Sequence, residues 1–280
     1  MKTKTYVVTG STSGIGKALL ERIAADNVVF AGYRDKSKLE ILQALSPNIY
    51  PFYVDYAKPE SIKYAAEYLI SKCTKIDTLV NIAGCVVAGP VEKIDISEIR
   101  RQFDVNVFGH LELTKDLIDL LDGGKIINVS SMASYGVFPF ISPYCASKRC
   151  LDMFFNALLV ENKKDIKIVS IKPGVIATPL WGKSVEENSK YIENCKGYEK
   201  EMEFLISNAQ KNESKGLSAD KVVDVILKAD GAKNPKLTYT VGRDAVAARI
   251  IAKMPQSLIN RLVKLGMKLS LIHISEPTRR

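Results

Sequence analysis

Tyr144 and Lys148 stand four residues apart in the stretch Ser142-Pro-Tyr-Cys-Ala-Ser-Lys148, so on a helix they share one face and reach one ligand. A free tyrosine titrates near ~10, and a neighbouring ammonium favours its phenolate, which makes the two together an acid/base pair. Ser131 lies thirteen residues upstream of Tyr144. It follows the apolar run Ile126, Ile127 and Val129, flanked by Gly123-Gly124, which predicts a buried parallel strand. Open α/β sheets bind ligands at the carboxyl ends of such strands. A hydroxyl, a phenol and an ammonium converging there can exchange a proton with a substrate oxygen. Taken singly, a Tyr-x3-Lys pair reads as a solvated helix face and Ser131 as a turn cap. The glycine-rich first turn of the chain argues against those plainer readings.

The elements along the rest of the chain must hold these groups. Thr5 to Thr9 reads as a strand, followed by Gly10-Ser-Thr-Ser-Gly14-Ile-Gly16 and a helix over Lys17 to Ala25. Strand, glycine turn and helix in that order aim backbone N–H groups and a helix N-terminus at a pyrophosphate. Asn27 to Tyr33 is a second strand with Arg34 just past its end, where an acidic residue suits a ribose 2′-hydroxyl and an arginine suits a 2′-phosphate. Arg34 therefore favours NADP(H) over NAD(H). Further strands are expected at Ile49–Val54, which ends at Asp55, and at Asp77–Asn81, Ile126–Val129, Ile166–Ile171 and Leu237–Val241. Helices are expected at Pro59–Lys72, at Ser97–Leu121 with Ser97 as cap, at Ser142–Asn162 and at Ser218–Ala229. This alternation predicts an α/β fold, a doubly wound parallel (Rossmann) sheet with helices on both faces, in a single domain over residues 1–244. Residues 179–216, charged and containing Trp181, break the alternation and read as a helical lid.

The chain has 280 residues, 46% of them apolar, enough for one large core. No apolar run approaches the ~18 residues of a membrane span, so the chain reads as soluble and cytoplasmic. Five cysteines without a CxxC pair argue against a disulfide framework and a zinc site, and two histidines leave little material for a metal centre. The net charge of +9 is spread along the chain rather than clustered with aromatics, which argues against nucleic acid and suits an anionic cofactor.

Thr9-Gly10-x3-Gly14-x-Gly16, Asn81-x-Ala83-Gly84, Asn106, Ser131, Tyr144-x3-Lys148 and Pro173-Gly174-x3-Thr178 occur in that order. Over roughly residues 3–245 the chain thus resembles the single-domain short-chain dehydrogenases/reductases. The resemblance implies that Tyr144 is the acid/base, that Lys148 lowers its pKa and holds the nicotinamide ribose, and that Ser131 orients the reacting oxygen. Asn106 would hold a water for proton relay. Gly10, Ser13, Ile15 and Gly16 would line the phosphates, Asp55 the adenine, and Asn81, Ala83 and Gly84 the adenosine side. Ile176 and Thr178 would meet the carboxamide. One departure is Ile82, where the family usually has a second asparagine, which implies a changed local hydrogen bond.

The expected activity is an NADP(H)-preferring oxidoreductase that interconverts a hydrophobic alcohol with its ketone or aldehyde. The walls expected for the substrate are Tyr135, Val137, Phe138, Phe140, Cys85, Val86, Val87 and Trp181, while Tyr144-Cys-Ala-Ser-Lys148 and Pro179-Leu-Trp-Gly-Lys183 resemble the steroid- and retinol-dehydrogenase side of the family. A non-enzymatic NADP(H)-binding redox sensor on the same fold is the rival, disfavoured because the acid/base residues are present. A sugar-nucleotide epimerase is a weaker one, since its glycine spacing differs. The resemblance also implies a homodimer or homotetramer. Residues 245–268 form amphipathic helices split by Pro255, with apolar residues at helical steps and lysines and arginines on other faces. Such a segment can touch a membrane peripherally, though packing on the domain or on a second subunit is the plainer reading. Leu269 to Arg279 resembles the in-frame translation of a transposon end used in sequencing libraries. Residues 269–280 are accordingly expected to be a non-native tail, with the native C-terminus missing and no function for His273.

Overall fold

Near-continuous apolar runs such as Val7-Val8, Val28-Val-Phe-Ala31 and Ile126-Ile127 can be satisfied only as strands covered on both faces. A computed structural model describes residues 3–192 and 195–275, with side chains described for 3–191 and 195–267. The first half alternates β1 (Thr5–Val8), α1 (Gly14–Ile23), β2 (Val28–Tyr33), α2 (Leu39–Leu45), β3 (Ile49–Tyr53), α3 (Pro59–Lys72) and β4 (Thr78–Asn81). Next come α4 (Ile96–Phe103), α5 (Gly109–Asp116), β5 (Lys125–Val129), α6 (Ser142–Glu161) and β6 (Lys167–Pro173). Residues 179–216 hold α7 (Leu180–Glu187), α8 (Ser189–Ile192) and α9 (Glu199–Lys215). The chain continues through α10 (Ala219–Gly231), β7 (Thr238–Val241), α11 (Arg243–Ile251) and α12 (Gln256–Ser275).

The seven strands lie in the order β3-β2-β1-β4-β5-β6-β7, every pair parallel. The winding reverses between β1 and β4, which opens a crevice at their carboxyl ends. One face of the sheet packs on α1 and α10 through Leu19, Leu20, Val222 and Ile226. The other packs on α3, α5 and α6 through Leu69, Leu113, Leu151 and Phe155. The expected single doubly wound domain is thus the observed one.

Two helices differ from expectation in ways that matter for the crevice. Helix α1 starts at Gly14 rather than Lys17, because the glycine turn itself supplies the first helical turn. The helix expected over Ser97–Leu121 is broken: α4 ends at Phe103, a π-turn spans Asp104–Phe108, and α5 ends at Asp116. Ser97 does not cap it, since the N-cap position is Asp95, whose carboxylate instead accepts from Tyr191 at 2.7 Å. A π-turn inserts one residue into the helical ladder and re-aims the side chains it carries, here Asn106. Pro255 separates α11 from α12 as expected. The backbone of α12 continues into the expected tail as far as Ser275, and the side chains from 268 onward and all of 276–280 lie outside the described residues. Among the described residues, no helix is long and apolar enough to cross a membrane.

Candidate active site

Strand β5 ends at Val129, and the chain passes through Ser130 and Ser131 into a single 3-10 turn, Met132–Tyr135. The Ser131 hydroxyl caps that turn, accepting from the Ala133 N–H at 3.1 Å. Helix α6 then carries Tyr144 and Lys148 on its buried face, as their spacing requires. All three line one cavity of about 300 Å³. The Lys148 ammonium donates to the Val129 carbonyl at 3.0 Å and lies 5.8 Å from the centre of the Tyr144 ring.

The electrostatics of this trio differ from the sequence expectation. Burial pushes the Tyr144 phenol up to about 12, and a hydrogen bond with Ser131 offsets only part of that rise. Burial also pulls Lys148 down to about 8, against the opposing attraction of Asp152 and Cys85. Desolvation disfavours both charged forms and outweighs the cation that was expected to hold the phenol low. At neutral pH Tyr144 is therefore a protonated phenol, the form that donates.

The glycine turn forms the opposite wall. Gly10 has φ +65°, and a Cβ there would lie 2.7 Å from the backbone N of Ala83, so only glycine lets β1 and β4 approach this closely. A Cβ at Gly14, φ +51°, would press on the Thr178 methyl at 3.0 Å. Ser13, at the N-cap of α1, makes no side-chain cap bond, which leaves the first-turn N–H groups without that partner. Gly10, Ser13, Ile15, Ala83, Gly84, Ile176 and Thr178 all line the cavity, as do Arg34 and Asp55 past the ends of β2 and β3. A bare backbone cradle at a helix N-terminus, with an exposed arginine beyond it, fits a dinucleotide with its pyrophosphate over Gly10–Ile15.

Three expected residues are not on the cavity surface. Gly16 lies beneath the turn, where any Cβ would collide with the Gly10 carbonyl, so its role is close packing. Asn81 is buried inside the sheet and donates to Asn128 Oδ1 at 2.9 Å across β4 and β5. Asn106 stands behind the wall: its amide donates to the Cys85 carbonyl and to Ser147 Oγ, each at 3.0 Å, and accepts from the Cys85 N–H at 2.9 Å. That pins the segment Gly84–Cys85 but leaves no amide hydrogen for a relay water.

The substrate wall also differs from the expected one. Cys85, Val86, Phe138 and Trp181 line the cavity, and Phe140 lines an adjoining one. Val87 is packed instead with Ile94 and Tyr191, and Val137 is half exposed. Tyr135 turns away, its hydroxyl on Thr240 at 3.0 Å and its ring under Lys172. Met132, Ile141, Leu180 and Ser184, which no sequence signal singled out, also line the cavity, as does Ile82. Ile82 takes the place of the family's second asparagine, and its N–H bonds Thr9 Oγ1 at 3.1 Å. Among the described residues, no group of three His, Cys, Asp or Glu side chains comes together to hold a metal.

A parallel sheet with a glycine cradle at its switch point and a serine, a tyrosine and a lysine in the same crevice defines a nucleotide-dependent oxidoreductase of the Rossmann type. Comparison with known proteins narrows this: the family described as short chain dehydrogenase matches residues 4–189. The chain belongs to that family. It is 32% identical over 247 residues to an NADPH-dependent 3-dehydrocapnine reductase from Ornithobacterium rhinotracheale, covering 84% of this chain and 87% of the relative. It is 31% identical over 287 residues to estradiol 17-beta-dehydrogenase 2 from Mus musculus, covering 94% of this chain and 74% of that one. Among solved structures, a short chain dehydrogenase from Burkholderia cenocepacia in complex with NADP superposes with a TM-score of 0.71 at 25% identity, covering 93% of this chain and 98% of that one.

Proposed function

We propose that the chain is an NADP(H)-preferring reductase of a hydrophobic ketone or aldehyde, with Tyr144 as the proton donor and Ser131 and Lys148 as its partners. The observation that carries this reading is the shared cavity in which Ser131, Tyr144 and Lys148 face the glycine cradle and Arg34. Bound NADPH would supply the hydride. Ser131 holds the substrate oxygen through its hydroxyl, and Tyr144 gives that oxygen its proton as the carbonyl becomes a carbinol. Lys148 steadies the phenolate left behind until solvent reprotonates it, and its buried ammonium also offers a donor to the nicotinamide ribose. Asn106 is a positioning residue that fixes the Gly84–Cys85 wall.

The preference for NADP(H) rests on Arg34, which lines the cavity where a 2′-phosphate needs a guanidinium, and is supported by the NADPH dependence of the reductase relative. Apolar side chains at Phe138, Ile141, Leu180 and Trp181 support a hydrophobic substrate. A homodimer or homotetramer belongs to the same reading. Exposed Phe108 after α4, and Met153, Phe154 and Val160 on α6, offer the apolar area it would bury. The decisive experiment follows oxidation of NADPH, and separately NADH, at 340 nm with a panel of ketones and aldehydes. Carbonyl-dependent NADPH oxidation is expected. Tight NADPH binding with no turnover of any carbonyl or alcohol would turn the reading towards a redox sensor.

A further inference from the structure

A second cavity, of about 460 Å³, adjoins the first, and no step of the proposed reaction uses it. Its walls come from the loop Phe138–Ile141, from the lid helices α7 and α9, and from α12 through Val263, Gly266 and Met267. The two cavities share Val86, Met132, Phe138, Ile141, Trp181 and Ser184. The two spaces abut at these six shared residues, which make up the neck between them. Tyr144 and Ser131 lie on one side of that neck, and Phe204 and Leu205 of α9 lie on the other.

The far chamber has largely apolar walls, with Glu201, Asn208 and Asn212 of α9 as polar members. Ser184, the polar member of the neck, donates its hydroxyl to the Val86 carbonyl, so it offers little to a ligand. The loop is held in a demanding conformation: Phe140 has φ +64°, costly for a residue with a Cβ. Its carbonyl accepts from the Gly89 N–H at 2.8 Å, and its ring packs on Tyr198 at 6.2 Å. A volume of this size is that of a ligand site, and one with largely apolar walls gains by filling.

We infer that the second cavity is a tail subsite and that the substrate is an amphiphile with an extended, unbranched apolar chain. This rests on the reductase reading above and extends it to the substrate class. The reacting carbonyl lies at Ser131 and Tyr144, and the chain passes Phe138 and Trp181 into the space beneath α9 and α12. The neck is what selects a chain. A fused-ring ketone carries its carbonyl on the ring itself and has no stem to thread between the chambers. The lid and α12 thereby acquire a function, enclosing the tail.

A homologous series of straight-chain methyl ketones, from butanone to tetradecanone, tests this by turnover with NADPH. Each methylene that enters the chamber should lower KM by up to about fourfold, with a plateau once the chamber is full. Gly266 lines the chamber, and a Cβ there meets nothing within 4 Å, so Gly266→Leu can fill the space without disturbing the helix. This variant, and Ala209→Phe as a second, should bring the plateau to a shorter chain, with the melting temperature confirming the fold. Trp181 is the sole tryptophan and sits at the neck, so its fluorescence reports occupancy independently of turnover. Dodecanol should shift it and butanol should not. KM values independent of chain length, or a rigid polycyclic ketone preferred to every straight chain, overturn the tail subsite and leave the reductase reading standing. A Trp181 response to long chains without turnover of any ketone keeps the subsite and removes the reductase reading. No Trp181 response to any chain, together with no length dependence, sinks the inference outright.

Discussion

Lys172 and Asp152 form an ion pair at 2.6 Å, both side chains buried, and Asp152 lies one turn of α6 beyond Lys148. Ser170 donates to the same carboxylate at 2.8 Å, so the anion is fixed in place. Its charge is one of the forces that hold up the pKa of Lys148, which burial alone would depress further. Removing the anion leaves burial less opposed, so the lysine loses its proton at lower pH. Asp152→Asn is therefore expected to move the alkaline limb of the kcat/KM profile, near pH 8, to lower pH. The pH profile is the readout, because a merely structural loss would scale the whole curve down without moving it.

Tyr144→Phe deletes the phenol oxygen and keeps the ring. General acid catalysis is worth roughly 10²–10⁴ in rate, and kcat should fall by about that much. Cofactor affinity should stay within about twofold of the parent value when followed by NADPH fluorescence. A variant with near-parental turnover would remove Tyr144 from the chemistry.

Arg34→Ala probes cofactor choice. A hydrogen bond to a charged group contributes about 1.5–3 kcal/mol, so KM for NADPH should rise by roughly 10- to 100-fold. NADH lacks the 2′-phosphate, and its KM should stay nearly constant. Steady-state kinetics with both cofactors check this, and equal losses would make Arg34 a bystander.

The strands and the meeting of Ser131, Tyr144 and Lys148 were legible because parallel strands need continuous apolar runs and because Tyr144 and Lys148 are local neighbours on one helix. The glycine turn was legible for a similar reason, since strand, turn and helix are consecutive. What failed to show was the orientation of Asn81, Asn106, Tyr135 and Val87, which contacts distant in sequence decide. Asn81 carries the spacing of a cofactor residue, yet its partner Asn128 is 47 residues away and holds it inside the sheet. Asn106 looks like one residue of a long helix, and only the bond to Cys85 reveals the π-turn that re-aims it. Tyr135 and Val87 were assigned to the substrate by proximity in the chain, whereas Thr240 and Tyr191 decide where they point.

His110 gives the fold a pH dependence of its own. It is buried, its Nε2 lies 2.8 Å from the Ala83 carbonyl, and its Nδ1 has no partner. Burial first, then the charge of Lys148, push its pKa from 6.5 to about 3. Between those values the unfolded chain binds the proton and the folded one does not, so stability rises with pH across the window. The slope contributed is ~1.4 kcal/mol per pH unit. Urea unfolding at several pH values should show it, and His110→Gln should flatten it.

Asp230 supports the sheet at the end opposite the crevice, and no feature of the sequence singled it out. Its carboxylate accepts from Lys4 at 2.6 Å, from the Tyr6 hydroxyl at 2.6 Å and from Thr78 at 2.5 Å, while its backbone carbonyl accepts from Lys125. One residue at the end of α10 thus ties together β1, β4 and β5. Burial alone would raise its pKa, but the three hydrogen bonds prevail and hold it below the usual carboxylate range. Its contribution is then present above the unfolded-state pKa and is lost as pH falls through the lower folded one. Breaking a buried pair costs about 3–5 kcal/mol, and the partial exposure of Lys4 places this case at the lower end. Asp230→Ala should therefore lose about 3 kcal/mol at neutral pH. Its melting temperature should fall by roughly 6–12 °C, at 2–4 °C per kcal/mol for a domain of this size. Turnover measured well below that melting temperature should persist, because the cluster lies at the amino ends of the strands and Ser131 at the carboxyl end. A variant that melts with the parent protein would show that solvent replaces these bonds without cost. One that folds normally but loses turnover would show that the two ends of the sheet are coupled.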